Sequence, residues 1–388
     1  MKKILIANNN MHIGGIQKSL VNLLTELCES RADEYKIDLF LFNNTGELSA
    51  DIPGEITIIE GNFFVRILGM SHAEARQSGI LTFIHRSFWT IITRLFKTKI
   101  SFGVLSHMQR LGGEYDCAIS FMQNGEPNVF YGGCAEFVLD TAAKEKICFI
   151  HCDFQNYGGN CEYNRKTLEK FDKIAAVSES VAKRLTESVT SVADRVVTVH
   201  NCTDFKKIYK MADEYAPDYT RKKINIFTAA RLHAEKGILR MIPILERIKK
   251  SGAAFVWRIG GDGTERGEIE RCIAESGLKD EIILLGSLKN PYPYFKFSDV
   301  VLVPSYNEAA PMVFDEARAF GTPIFTTDTS SAKEMVSDTK SGVVCDNTDE
   351  SIETELRKFI LNFVPHKNNV GYCDNKIAID EFDELING

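Results

Sequence analysis

The chain has 388 residues, of which 44% are hydrophobic and 26% charged. At roughly 100–200 residues per domain this means two or more globular domains, which excludes disorder, collagen and coiled coil as descriptions of the whole. The 46 basic and 53 acidic side chains leave a net charge of −7, which argues against a general nucleic-acid binder.

The opening MKKILIANNN carries two lysines but only a short apolar stretch. It reads as a first β-strand and not as a signal peptide, and no apolar run approaches the ~18 residues of a spanning helix. The chain is therefore expected in the cytoplasm. Its ten cysteines form no C-x2-C pair, so they are expected as reduced, mostly buried thiols with no zinc framework.

In chain order, a strand at 3–7 is followed by Gly14-Gly15, a helix over 17–28 and a second strand at 37–42. Strand, glycine turn, helix, strand opens a doubly wound α/β domain. Further strands are expected at 117–121, 147–150, 174–177 and 196–199. Such short apolar runs suit parallel strands covered on both faces. The polar stretch 202–223 reads as a linker. A second series follows at 224–230, 255–259, 281–285, 300–303, 324–327 and 342–345.

Residues 62–110 differ from the rest. They hold seven basic residues (Arg66, Arg76, Arg86, Arg94, Lys97, Lys99, Arg110) against one acid, Glu74, with Phe63, Phe64, Phe83, Phe88, Trp89 and Phe96 interleaved. Two readings stay open. One is contact with an anionic membrane surface. The other is an ordinary amphipathic helix pair, apolar side inward and basic side outward.

Several residues could carry chemistry. Arg231 and Lys236 follow the strand at 224–230, at the edge where α/β proteins bind ligands, and two cations beside a helix N-terminus suit a pyrophosphate. The run from Gly260 to Gly267 is not a dinucleotide fingerprint, because Arg266 stands where its third glycine belongs. It reads as a strand-to-helix turn. Pro311 suits the first position of a helix. Met312 and Val313 would then offer backbone N–H groups to an anion. Glu308 before that helix and Glu316 within it are carboxylates able to hold vicinal diols. Two diols with phosphate between them describe a nucleoside diphosphate sugar.

Taken together, these pieces resemble a retaining glycosyltransferase of the GT-B fold, glycosyltransferase family 4. The matching segments run in order: Gly14-Gly15, Phe171-Asp-Lys-Ile-Ala-Ala-Val-Ser178, Val199-His-Asn201, Arg231-Leu-x3-Lys236-Gly237, Gly261-Asp-Gly263, Glu308-x7-Glu316 and Phe320-Gly-Thr-Pro323. The resemblance implies an α/β fold of two doubly wound Rossmann-like domains facing across a cleft. An acceptor-binding domain would cover 1–201 and a linker 202–223. A nucleotide-sugar-binding domain would cover 224–370, and a helix over 371–388 would cross back to the first domain.

The resemblance also implies roles. Arg231 and Lys236 would bind the donor diphosphate and Glu316 the ribose. Glu308 and the backbone of Ala310, Pro311, Met312 and Val313 would hold sugar and phosphate. Leu288 would lie against the base. Gly14 and Gly15 would let the first loop approach the phosphate, and His151, in Cys148-Phe-Ile-His-Cys-Asp153, would position the sugar and support developing charge. No Asp-x-Asp occurs, so a metal-independent hexosyltransferase without a cofactor is implied, with a UDP-sugar as donor in preference to a GDP-sugar. The leaving phosphate itself would take the acceptor's proton. The acceptor implied is a saccharide, lipid-linked, in envelope or capsular polysaccharide synthesis.

The family often has glycine after its first glutamate. Here Ala309-Ala310 stand there, and a methyl narrows the sugar pocket. Cys202-Thr203 replace the commoner Gly-Val after Asn201. Two alternatives remain: a non-catalytic GT-B-shaped partner subunit of a transferase, and a sugar-nucleotide epimerase.

Overall fold

The computed structural model describes residues 1–219, 222–363 and 373–388. It resolves into two compact units, Met1–Cys202 with Asn375–Gly388, and Thr203–Asp374. Residues 364–370 of the expected second domain, and 371–372 of the expected last helix, lie outside the described residues.

The first unit holds a seven-stranded parallel sheet. Its strands are β1 (Lys2–Asn8), β2 (Tyr35–Leu41), β3 (Thr57–Glu60), β4 (Tyr115–Ser120), β5 (Ala143–Ile150), β6 (Lys173–Ala176) and β7 (Val196–Thr198), in spatial order 3-2-1-4-5-6-7. Ile4, Leu5, Ile6 and Ala7 of β1 are fully buried, as a central strand covered on both faces requires. At the edge, β3 (Thr-Ile-Ile-Glu) is largely exposed, and its lack of alternation explains why the sequence does not announce it.

The second unit holds six parallel strands: β8 (Ile224–Ala229), β9 (Phe255–Gly260), β10 (Ile282–Gly286), β11 (Val300–Val303), β12 (Ile324–Thr327) and β13 (Gly342–Cys345). Their order is 10-9-8-11-12-13. One face packs a core that includes Trp257, Phe255, Leu245 and Leu302; the other packs Phe227, Phe295, Phe314 and Val301.

The stretch read as a linker is not featureless. It contains a helix, Phe205–Ala212, capped by the Asp204 carboxylate accepting from Lys207 N–H, with Ile208 and Ala212 buried in the second unit's core. Its lysines occupy the solvent face, which made the segment look like a polar connector.

The last helix, Lys376–Asn387, belongs to the first unit. Asp383 accepts from Arg31 Nε and Tyr35 Oη, both at 2.7 Å, and Lys2 Nζ donates to the Ile386 carbonyl at 2.7 Å. Glu381 accepts from the His200 backbone N–H at 2.8 Å and faces its ring Nδ1 at 2.9 Å. This explains the Val199-His-Asn201 signature locally. His200 ties the final helix, while Asn201 accepts from Ser19 Oγ at 2.6 Å and Asn22 donates to the Cys202 carbonyl. No disulfide joins any of the ten cysteines, all of them among the described residues: Cys117, Cys134, Cys148, Cys202 and Cys345 are buried and the rest half-buried.

Candidate active site

In the second unit the sheet order reverses between β8 and β11, and the loops leaving their carboxyl ends are joined. Gly237 adopts φ +65°, and a Cβ there would fall 2.1 Å from the Pro304 carbonyl oxygen, so only glycine permits the approach. Tyr306 N–H donates to the Glu235 carbonyl at 2.8 Å. Arg240 donates to the Pro304 carbonyl at 2.6 Å and to Asn347 Oδ1 at 2.8 Å, with its guanidinium 4.0 Å from the centre of the Tyr306 ring. Burial lowers the Arg240 pKa.

This scaffold sets one ion pair. Lys236 Nζ donates to Glu308 Oε1 at 2.7 Å, and Ser305 Oγ donates to the same oxygen at 2.8 Å. Both partners of the pair are mostly shielded from solvent. An ammonium has three donors, so Lys236 can hold Glu308 and still donate to a ligand. Arg231, by contrast, is exposed and pairs with Glu235 at 3.3 Å. It is a solvent-exposed cation on the same loop, and the structure does not bring it against Lys236 or Glu308.

The helix Met312–Ala319 starts one residue later than expected, with Pro311 as its cap at φ −72° and ψ 119°. A proline ring at the boundary serves either position, since its missing N–H costs nothing there. Phe314 N–H bonds back to the Pro311 carbonyl. Met312 and Val313 are the first helical residues, whose N–H groups have no partner within the helix. Ala310 lies in the loop just before, half-buried. Glu316 lies one turn in, buried at 5% exposure.

The glycine-rich loop after β9 serves packing. A Cβ on Gly261 would sit 1.8 Å from the Ala230 carbonyl oxygen, and one on Gly263 would sit 2.4 Å from that of Leu232. Its close approach is therefore to the neighbouring loop that carries Arg231. Leu288, after β10, is half-buried with its Cδ1 over Gly260.

In the first unit, Gly14 caps and Gly15 opens the helix Gly15–Ser30 at the carboxyl end of β1. A Cβ on Gly15 would meet nothing within 4 Å. His151 follows β5 on the same edge of the sheet. Its ring lies 4.8 Å from that of Phe121 and 5.9 Å from that of Phe149, and its backbone N–H donates to Gln123 Oε1 at 3.0 Å. Burial pushes its pKa down to about 3 against a smaller upward pull from a backbone hydrogen bond to Phe121. The ring is therefore neutral. With one nitrogen on the Phe121 backbone, the buried Nε2 has no partner among the described residues. A positive His151 supporting developing charge does not fit this environment; a neutral imidazole offering Nε2 does.

Residues the sequence did not single out frame the same edge. Asn9 donates to the Leu68 and Gly132 carbonyls, and Asn10 to the Gly69 carbonyl and Tyr131 Oη. His12 lies 2.8 Å from Glu74 and 3.5 Å from Glu47. Burial depresses its pKa, but the two carboxylates more than offset this and raise it. The signal for these residues was the polar run Asn8-Asn9-Asn10 directly after an apolar strand. In the second unit Ser305 and Arg240 carry no sequence signal, because their partners lie far along the chain.

Residues 213–372 match the family described as Glycosyl transferases group 1. Among curated proteins, the chain is 25% identical over 150 residues to the amylovoran biosynthesis glycosyltransferase AmsD of Erwinia amylovora, covering 39% of this chain and 42% of that one. Matches to the curated relatives cover between 25% and 63% of their lengths. Among solved structures, the apo lipopolysaccharide outer core galactosyltransferase WaaB aligns with TM-score 0.63 at 15% identity, covering 100% of this chain and 99% of that one. HepE of Anabaena, solved with UDP and glucose, aligns with TM-score 0.63 at 14% identity over 93% and 90%. The fold is thus of the GT-B type, two Rossmann-like α/β units. The group 1 match falls within the second of them, Thr203–Asp374.

Proposed function

We propose that the protein is a retaining glycosyltransferase that moves a hexose from a UDP-sugar to a hydroxyl acceptor. The observation that carries this reading is the Lys236–Glu308 pair, fixed at 2.7 Å on the loops that lead to the N-terminus of the helix Met312–Ala319. A held cation, a helix N-terminus and the buried Glu316 supply what a nucleoside diphosphate needs: two sources of positive potential for the phosphates and a carboxylate for the ribose. Arg231 adds a second, exposed cation. Fixed charge and dipole stabilise the departing diphosphate by electrostatic preorganisation, with no metal in the scheme.

In this reading Glu308 orients Lys236 and contacts the sugar together with the backbone from Ala310 to Val313, and Leu288 supports the base. Gly14 and Gly15 admit a phosphate or sugar to the first unit's strand end, where the space beside Gly15 is open. His151 Nε2 accepts a hydrogen bond from a sugar hydroxyl, and the leaving phosphate takes the acceptor's proton. UDP is favoured by the HepE complex, and polysaccharide biosynthesis by the relative named for amylovoran biosynthesis; the lipid-linked saccharide acceptor is part of the same proposal.

The test is a thermal-shift panel with UDP, GDP, ADP and NAD. A ligand at 100 times its Kd adds about 2.7 kcal/mol of stability. A shift with UDP, lost in Glu316→Ala, is expected. A shift with NAD alone, or with none of the four, contradicts the reading. Retention is checked by NMR of the product's anomeric proton.

A further inference from the structure

The helix Ile80–Phe96 is polar toward the protein and apolar toward solvent. A surface helix of a globular domain ordinarily shows the reverse. Its buried residues are Thr82, Arg86 and Thr93. Arg86 donates to the carbonyls of Ile67 and Phe130 at 2.6 and 3.2 Å. Thr82 accepts from Arg66 at 2.7 Å, and Thr93 Oγ1 lies 2.7 Å from Ser101 Oγ. These bonds fix which way the helix faces, since rolling it over would strip a buried guanidinium of its acceptors.

The outward residues are Ile80, Leu81, Ile84, Phe88, Ile91 and Leu95, each 54–71% exposed. At 3.6 residues per turn they fall within one arc of about 100°, opposite Thr82, Arg86 and Thr93. The amphipathic pair with a basic outer face over an apolar inner one is therefore not what the chain builds. The apolar side is outside, and the cations lie beside it. Arg94 flanks the stripe and Lys97 ends it, both exposed. The segment's one acid, Glu74, is occupied by the Ser71 cap and by His12.

We propose that this helix docks in the plane of an anionic bilayer, its stripe entering the headgroup–acyl boundary while Arg94 and Lys97 meet lipid phosphates. The charge argues for that occupant: of the seven basic residues at 62–110, Arg76, Arg94, Lys97, Lys99 and Arg110 are exposed, against one acid, in a chain of net charge −7. No helix among the described residues is long and apolar enough to cross a membrane, so the contact is interfacial. This inference stands apart from the sugar-transfer reading.

The test is flotation of the full chain with phosphatidylcholine vesicles and with vesicles containing 30% phosphatidylglycerol (~30%, enough for a strongly negative surface), at low and high salt. Binding only to the anionic vesicles, reduced by salt, is expected. Ile84→Glu/Phe88→Glu/Leu95→Glu should abolish it while leaving the UDP-dependent thermal shift intact. Arg94→Gln/Lys97→Gln should weaken it by about fivefold per charge. Equal flotation with both vesicle types, or full binding by the triple variant, overturns the proposal. So does a stable dimer in solution that the triple variant dissolves, which would assign the stripe to a second copy.

Discussion

The two units share a strand order and differ in what they place at its edge. Around β1 and β8 the order is the same, 3-2-1-4-5-6 in local numbering, with β7 extending the first sheet. At the first unit's edge stand buried amides, an open glycine and a neutral histidine. At the second stand Arg231, Lys236, Glu308 and Glu316 beside a helix N-terminus. The fold supplies the edge, and the loop residues decide its chemistry. A neutral, hydrogen-bonding edge suits sugar hydroxyls, whereas a charged one suits a diphosphate.

Substitutions at either edge test that contrast. The largest effect is expected at Lys236→Ala, which should slow UDP-sugar turnover by about 10²–10³, the scale of one lost preorganised donor. A near wild-type rate would erase the electrostatic distinction between the units. Next comes Glu316→Ala. A lost hydrogen bond to a charged group is worth about 1.5–3 kcal/mol, so UDP affinity measured calorimetrically should fall roughly 10- to 100-fold.

In the first unit the prediction concerns pH. His151 titrates near 3 in the fold and at the usual 6.5 unfolded, so the unfolded chain takes up a proton that the fold refuses. Its contribution is full above pH 6.5 and is lost as the pH falls toward 3. Between pH 7.5 and 5, wild type should lose about 2 kcal/mol more stability than His151→Asn in urea titrations. His12, whose pKa is raised, acts with the opposite sign but equally in both proteins, so the difference isolates His151. The smallest effect is on stability at Gly15→Ala, expected within about 0.5 kcal/mol because its Cβ meets open space. The same change should still lower turnover, which a melting curve beside an activity assay would separate.

Much of this architecture was legible in the chain. Buried parallel strands are short unbroken apolar runs, and twelve such runs fall on observed strands. Only the exposed edge strand β3 escaped, because it buries no full face. Helix Phe205–Ala212 escaped because its lysines mask a buried Ile208. The cations and carboxylates of the second unit were readable as types at strand ends. Their pairing was not, since Lys236 and Glu308 lie 72 residues apart and meet where Gly237 packs against Pro304. The inverted helix Ile80–Phe96 was half legible. Composition marked the segment as unusual, but only packing shows that Arg86 points in and Phe88 out.

The charged edge of the second unit is proposed to bind the diphosphate. The direct measurement is calorimetric titration of uridine, UMP and UDP into wild type and Lys236→Ala. UDP is expected to bind wild type more tightly than uridine does, with most of this margin disappearing in the variant. The same margin in both proteins would place the phosphates elsewhere and contradict this proposal.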